Sequence, residues 1–136
     1  VFGKVYTSDV YPHGYGDVGS FVGAGGLDLG DVARCPFRPD WIITNPPYVD
    51  AEGMAGLPRE CLHEPSIASD GGDDGLDIVR RILDRAKDHL TPDGGLLCEI
   101  GRGRDVLGDA YPNLPLLWLD TEDSDGEVFW IPVEAL

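Results

Sequence analysis

The residues best suited to do chemistry are Asn45-Pro46-Pro47-Tyr48, directly after the apolar run DWIIT from Asp40 to Thr44. Asn45 brings a side-chain carbonyl acceptor. The two prolines stiffen the turn and carry no N–H groups, so the carbonyls beside them have fewer competing donors. Tyr48 adds a flat aromatic face. Two acceptors aimed at one NH₂ group would fix its plane and turn the nitrogen lone pair toward an electrophile, which is catalysis by proximity and orientation. The same tetrapeptide is also sound turn chemistry with no catalysis, so its setting decides between the two readings.

The setting is a strand end. DWIIT reads as a short buried strand, and a doubled proline cannot continue a central strand. In open α/β sheets ligands collect beyond the carboxyl ends of the strands. Before this point, Lys4 to Asp9 reads as a strand, and Tyr11 to about Pro39 reads as a loop, because seven glycines fall between Gly14 and Gly30 and each costs a helix about 1 kcal/mol relative to Ala. After it, Val49 to Ser69 reads as irregular. Leu76, Val79, Ile82, Leu83, Ala86 and Leu90 recur at helical spacing, with Asp73 or Asp74 placed to cap the first amides and Thr91-Pro92-Asp93-Gly94-Gly95 to stop the helix. Gly95 to Ile100 is a buried strand, Arg104 to Tyr111 a short helix, Leu116 to Asp120 a strand, Thr121 to Gly126 an acidic turn and Val128 to Ile131 a last strand. This alternation predicts an α/β layered sheet closing on an antiparallel hairpin.

Composition narrows the partner. The chain has 136 residues and a formal net charge of −15, from 25 Asp and Glu against 10 Lys and Arg. So acidic a surface weighs against direct nucleic-acid binding, which uses clustered Lys and Arg, and favours a basic partner. An unusually acidic composition also fits salt adaptation or a GC-rich source. No apolar run approaches the ~20 residues of a membrane span, and the opening residues lack signal-peptide architecture, so a cytoplasmic location is expected. Cys35, Cys61 and Cys98, like His13, His63 and His89, are too scattered for a metal knuckle, and no metal is expected.

DWIITNPPYVD, HEPSIASDGGDDGLDIVRRILDRAKDHLTPDGGLLCEIGRGR and YPNLPLLWLDTEDSDGEVFWI together resemble the carboxyl-terminal part of the HemK-type protein-glutamine methyltransferases, over roughly Asp40 to Ile131. The YP, WL and VF features are closer to the PrmB branch, which methylates a glutamine of large-subunit ribosomal protein three, than to the branch acting on release factors. The resemblance implies a Rossmann-like, seven-stranded S-adenosylmethionine-dependent methyltransferase sheet. It implies that Asn45 and the Pro46 carbonyl hold the glutamine amide, that Pro47 and Tyr48 complete the catalytic turn and that Tyr48 packs against the substrate. It matches Glu64-Pro65 and Asp74-Gly75-Leu76 to scaffold turns, with Glu64 a candidate substrate contact. Asp9, in a matching SD pair, would approach the adenine of the cofactor, and Asn45 would also border it.

Two segments imitate a cofactor loop. Gly14 to Gly19 fits GxGxxG but lacks a clean strand before it and a helix after it. Glu99-Ile100-Gly101-Arg102-Gly103 has both, which would suggest a circular permutation; the resemblance instead assigns it to the strand after the catalytic one, and the ordinary order is preferred. The cofactor loop would then precede Val1. A seven-stranded sheet of ordinary elements needs roughly 170 residues, so residues 1–136 are expected to be a partial domain. In this division 1–39 form an edge strand and glycine-rich loop, and 40–136 run from the catalytic strand to the terminal hairpin. Two alternatives stay open: an amino-methyltransferase acting on adenine in nucleic acid, and a catalytically silent module docking a ribosomal protein.

Overall fold

The computed structural model describes residues 5–9, 20–24, 38–56, 71–122 and 125–136. Within them, Val5–Asp9 forms β1, Ser20–Ala24 β2 and Trp41–Thr44 β3, followed by the short helix α1 over Ala51–Ala55 and the longer α2 over Asp77–Arg85. Gly95–Glu99 is β4, Arg104–Ala110 is α3, Leu117–Leu119 is β5 and Val128–Pro132 is β6. The strands make one sheet in the order β2-β1-β3-β4-β6-β5. β2, β1, β3 and β4 are mutually parallel, while β6 runs antiparallel to β4 and β5 antiparallel to β6. The expected α/β sheet and its closing hairpin are both present.

Three expectations are corrected. The stretch from Tyr11 to Pro39 is not one continuous loop, because β2 lies within it. Phe21 and Val22 have strong strand preference, and parallel pairing with β1 from Ser20 to Ala24 supplies the backbone partners. β1 is therefore not an edge strand, since β2 flanks it on one side and β3 on the other. The Gly14 to Gly19 motif lies outside the described residues. Val49 to Ser69 was expected to be irregular, yet α1 forms at its start. The Asp50 side chain accepts the Gly53 N–H at 2.7 Å, an N-cap that compensates the poor helix preference of a five-residue segment holding a glycine.

The core lies on the face of the sheet that α2 and α3 cover. Ile42, Leu96, Cys98, Ile100, Phe129 and Ile131 meet Ile78, Val79, Ile82 and Leu83 of α2 and Leu107 of α3. Complete burial of aliphatic side chains such as these contributes about 1.5–3 kcal/mol each. The end of the α2 segment is tied to the start of β3: Thr91 N–H donates to the Pro39 carbonyl at 3.0 Å, Gly95 N–H to the Asp40 carbonyl at 2.9 Å, and the Thr91 hydroxyl to the Asp40 carboxylate at 2.7 Å. At this amino end of the sheet Gly95, lacking a side chain, leaves room for Trp130 to cross β4. Trp130 thereby reaches Trp41, with ring centroids 4.4 Å apart. No helix among the described residues is long and apolar enough to cross a membrane.

Candidate active site

The carboxyl ends of the parallel strands set the site. Thr44, the last residue of β3, pairs with Ser8 of β1 and with Cys98 of β4. Asp9, Asn45 and Glu99 each come one residue later, so they stand side by side at one end of the sheet. The strand order also reverses here, for the chain passes from β1 to β2 on one side and then returns to lay β3 on the other. A crevice at such a reversal is where open α/β sheets bind ligands.

Local sequence then shapes the turn. Asn45 is exposed, Pro46 and Pro47 are buried, and Tyr48 is half-buried. The buried prolines root the turn while the amide-bearing side chain projects toward solvent. The turn rests on the segment leading into α2: Gly71 N–H donates to the Val49 carbonyl at 2.9 Å, and Asp77 N–H donates to the Gly71 carbonyl at 2.9 Å. That segment is braced by Asp74, whose carboxylate accepts the Leu76 N–H at 3.1 Å and pairs with Arg80 at 2.5 Å. The Arg80 hydrogen bond is the main cause holding the Asp74 carboxyl below its usual range. Gly101 backs onto the Tyr48 ring.

The electrostatics around Tyr48 are one-sided. Burial first, then the negative charges of Glu99 and Glu127, push its phenol above the ordinary tyrosine value, so it stays a neutral O–H donor at physiological pH. Cys98, just inside the sheet from this end, is buried, and burial raises its thiol far above the usual range. A thiol held in that form is a poor nucleophile. No group of three or more His, Cys, Asp or Glu side chains is arranged to hold a metal among the described residues.

Of the residues singled out from sequence, Asn45, Pro46, Pro47 and Tyr48 share one turn at the carboxyl end of β3. The backbone of Asp9 ends the neighbouring strand. Glu64 lies outside the described residues. The segment Glu99 to Gly103 begins on the last residue of β4 and ends in a 3₁₀ turn, Gly101–Gly103, before α3, and the Tyr48 ring occupies the space against its first glycine. Sequence reasoning missed Glu99 and Glu127 as neighbours of Tyr48. For Glu99 a signal existed, since it closes a strand parallel and adjacent to β3. Glu127 carried none, because its position depends on the antiparallel register that joins the Ile100 N–H to the Glu127 carbonyl at 2.9 Å.

Over 97 to 99 residues the chain is similar to proteins named as ribosomal protein glutamine methyltransferases. The ribosomal protein uL3 glutamine methyltransferase of Bradyrhizobium diazoefficiens is 74% identical over 99 residues, a match covering 73% of this chain and 31% of that protein. The protein of the same name from Neisseria gonorrhoeae is 55% identical over 97 residues, covering 71% of this chain and 32% of its own length. That from Bordetella pertussis is 46% identical over 97 residues, covering 71% and 33% respectively. The chain thus matches about a third of the length of these curated relatives. No family model matches it.

Proposed function

We propose that this chain forms the acceptor side of an S-adenosylmethionine-dependent protein-glutamine methyltransferase whose substrate is a basic ribosomal protein, uL3. The observation that carries the reading is the Asn-Pro-Pro-Tyr turn at the strand-order reversal, with Asn45 exposed above two buried prolines. The high identity to uL3 methyltransferases from three bacteria supports the substrate. The net charge of −15 suits a basic protein acceptor better than nucleic acid, and a ribosomal substrate fits a cytoplasmic site of action.

An amide nitrogen is a weak nucleophile because its lone pair is delocalised into the carbonyl. The Asn45 side-chain carbonyl and the Pro46 carbonyl accept the two amide hydrogens, hold the NH₂ plane and leave the lone pair facing the donor, while Tyr48 flanks the glutamine side chain. S-adenosylmethionine, when bound, supplies an electrophilic sulfonium methyl group. Asp9, at the end of β1, would be the donor-side residue, with Asn45 only bordering the cofactor, and a carboxylate suits that role because it accepts from an adenine amino or ribose hydroxyl group. The negative charges of Glu99 and Glu127 beside Tyr48 favour both a cationic donor and a basic acceptor segment. As the new N–C bond formed, the methyl–sulfur bond of the donor would break to leave a neutral thioether, and one acceptor N–H proton would pass to solvent while Asn45 or Pro46 kept hold of the other.

The test is incubation of the full-length enzyme carrying these residues with unmethylated uL3 and methyl-labelled S-adenosylmethionine, followed by mass mapping. Label on a uL3 glutamine side chain is the expected result. Label on adenine of added DNA or RNA, with none on uL3, overturns the reading, and tight uL3 binding with no transfer points to a silent docking module.

A further inference from the structure

The ring and the main chain of Tyr48 are held by glycine backbone. Gly101, at φ +53°, lies against the ring, so that a Cβ there would stand 2.5 Å from Cε2, 2.9 Å from Cδ2 and 3.0 Å from Cζ. Gly75, at φ +79°, does the same to the main chain: a Cβ would collide with the Tyr48 carbonyl oxygen and stand 3.2 Å from its carbon. Two segments far apart in sequence, one entering α2 and one leaving β4, therefore close on a single residue. Both are stiff. Gly75 N–H donates to the Gly72 carbonyl at 3.3 Å, and Gly103 N–H donates to the Ile100 carbonyl at 3.1 Å. Positive φ alone strains any other residue at either position.

We infer that Gly75 and Gly101 are positioning residues, which fix Tyr48 and with it the Asn45 and Pro46 acceptors in the geometry an acceptor amide requires. The inference rests on the amide-methylation reading above. Misplacing a catalytic group by about 1 Å costs on the order of a hundredfold in rate, and a single added methyl group at Gly101 forces a shift of the ring toward that scale. Gly108, on α3, is the internal control, for nothing lies within 4 Å of where its Cβ would be.

The experiment compares Gly101→Ala, Gly75→Ala and Gly108→Ala in this chain, reading the Tyr48 ring carbon by NMR against pH, with Tyr48→Phe to assign the signal. Gly101→Ala is expected to move the Tyr48 resonance and bring its titration back toward the ordinary tyrosine range, while Gly108→Ala leaves both unchanged. A thermal cycle adds a readout free of activity: the drop in melting temperature caused by Gly101→Ala should shrink by at least half when Tyr48 is already Ala. If Gly101→Ala fails to fold, the double variant should fold again, because the colliding ring is gone. In methyl transfer by the full-length enzyme, both site variants should lose roughly tenfold to a hundredfold in kcat with KM for S-adenosylmethionine within about twofold. Unmoved Tyr48 signals, additive melting losses or a double variant that stays unfolded would overturn the positioning role. Moved Tyr48 signals together with no methyl transfer by the full-length enzyme would instead support the clamp on Tyr48 and sink the methylation reading.

Discussion

At the scale of single residues, the proposed reading separates groups that would touch the acceptor from groups that hold those in place. Asn45 stands exposed over buried Pro46 and Pro47, so in the full-length enzyme Asn45→Ala should abolish methyl transfer to uL3 while calorimetry finds the affinity for S-adenosylmethionine within about threefold of the unmodified enzyme. Equal loss of both would place Asn45 on the donor side alone. Cys98 illustrates the opposite case of a chemically capable group kept silent. Its buried thiol, raised by burial and then by the charge of Glu99, should resist alkylation in the native protein and react at the unfolded rate once denaturant is added, as mass mapping of the modified cysteines would show. His89 carries a pH signature. Burial, followed by the positive charge of Arg85, lowers its pKa, so the unfolded chain binds the proton more readily than the folded one. Stability should therefore fall as the pH drops below about 6.5 and on through the lowered folded value. His89→Gln should flatten that part of a melting-temperature profile.

Among the elements, α2 does two jobs. Its buried face anchors the sheet, and Ile82→Ala should cost about 2–5 kcal/mol in denaturant unfolding. Arg80 in its first turn pairs with Asp74 in the segment on which the Asn-Pro-Pro-Tyr turn rests, the two side chains being 33% and 39% exposed. Solvent screening at that exposure keeps the pair's contribution to about 1 kcal/mol or less. Because the Asp74 carboxyl is lowered, that contribution is present at neutral pH and disappears as the pH falls through its folded value. α2 was legible in the sequence because its apolar residues repeat at helical spacing, and the end of β3 because prolines cannot extend it. β2 was not legible, since Phe21 and Val22 are two apolar residues inside a glycine-rich tract and their strand exists only through pairing with β1. α1 is too short to show a period. The Asn-Pro-Pro-Tyr turn could be read directly because its parts are contiguous. Glu127 could not, because only the pairing of β4 with β6 brings it near Tyr48.

For the whole molecule, the excess negative charge governs how a partner arrives. Association with a basic acceptor such as uL3 should slow steeply as salt rises from about 50 to 500 mM, with a much smaller change in dissociation rate, as surface plasmon resonance would record. Flat association rates over that range would remove electrostatics from recognition. The contact between Trp41 and Trp130 has a different use. The two indoles come from strands that are not neighbours, they stand 4.4 Å apart with planes 34° from parallel, and they meet only when β3, β4 and β6 are all in register across Gly95. Chromophores so close and so tilted couple their excited states. The protein thus carries its own optical gauge of sheet assembly: a circular-dichroism couplet in the indole absorption band that should vanish in Trp41→Phe and rise, during refolding, with the third of those strands.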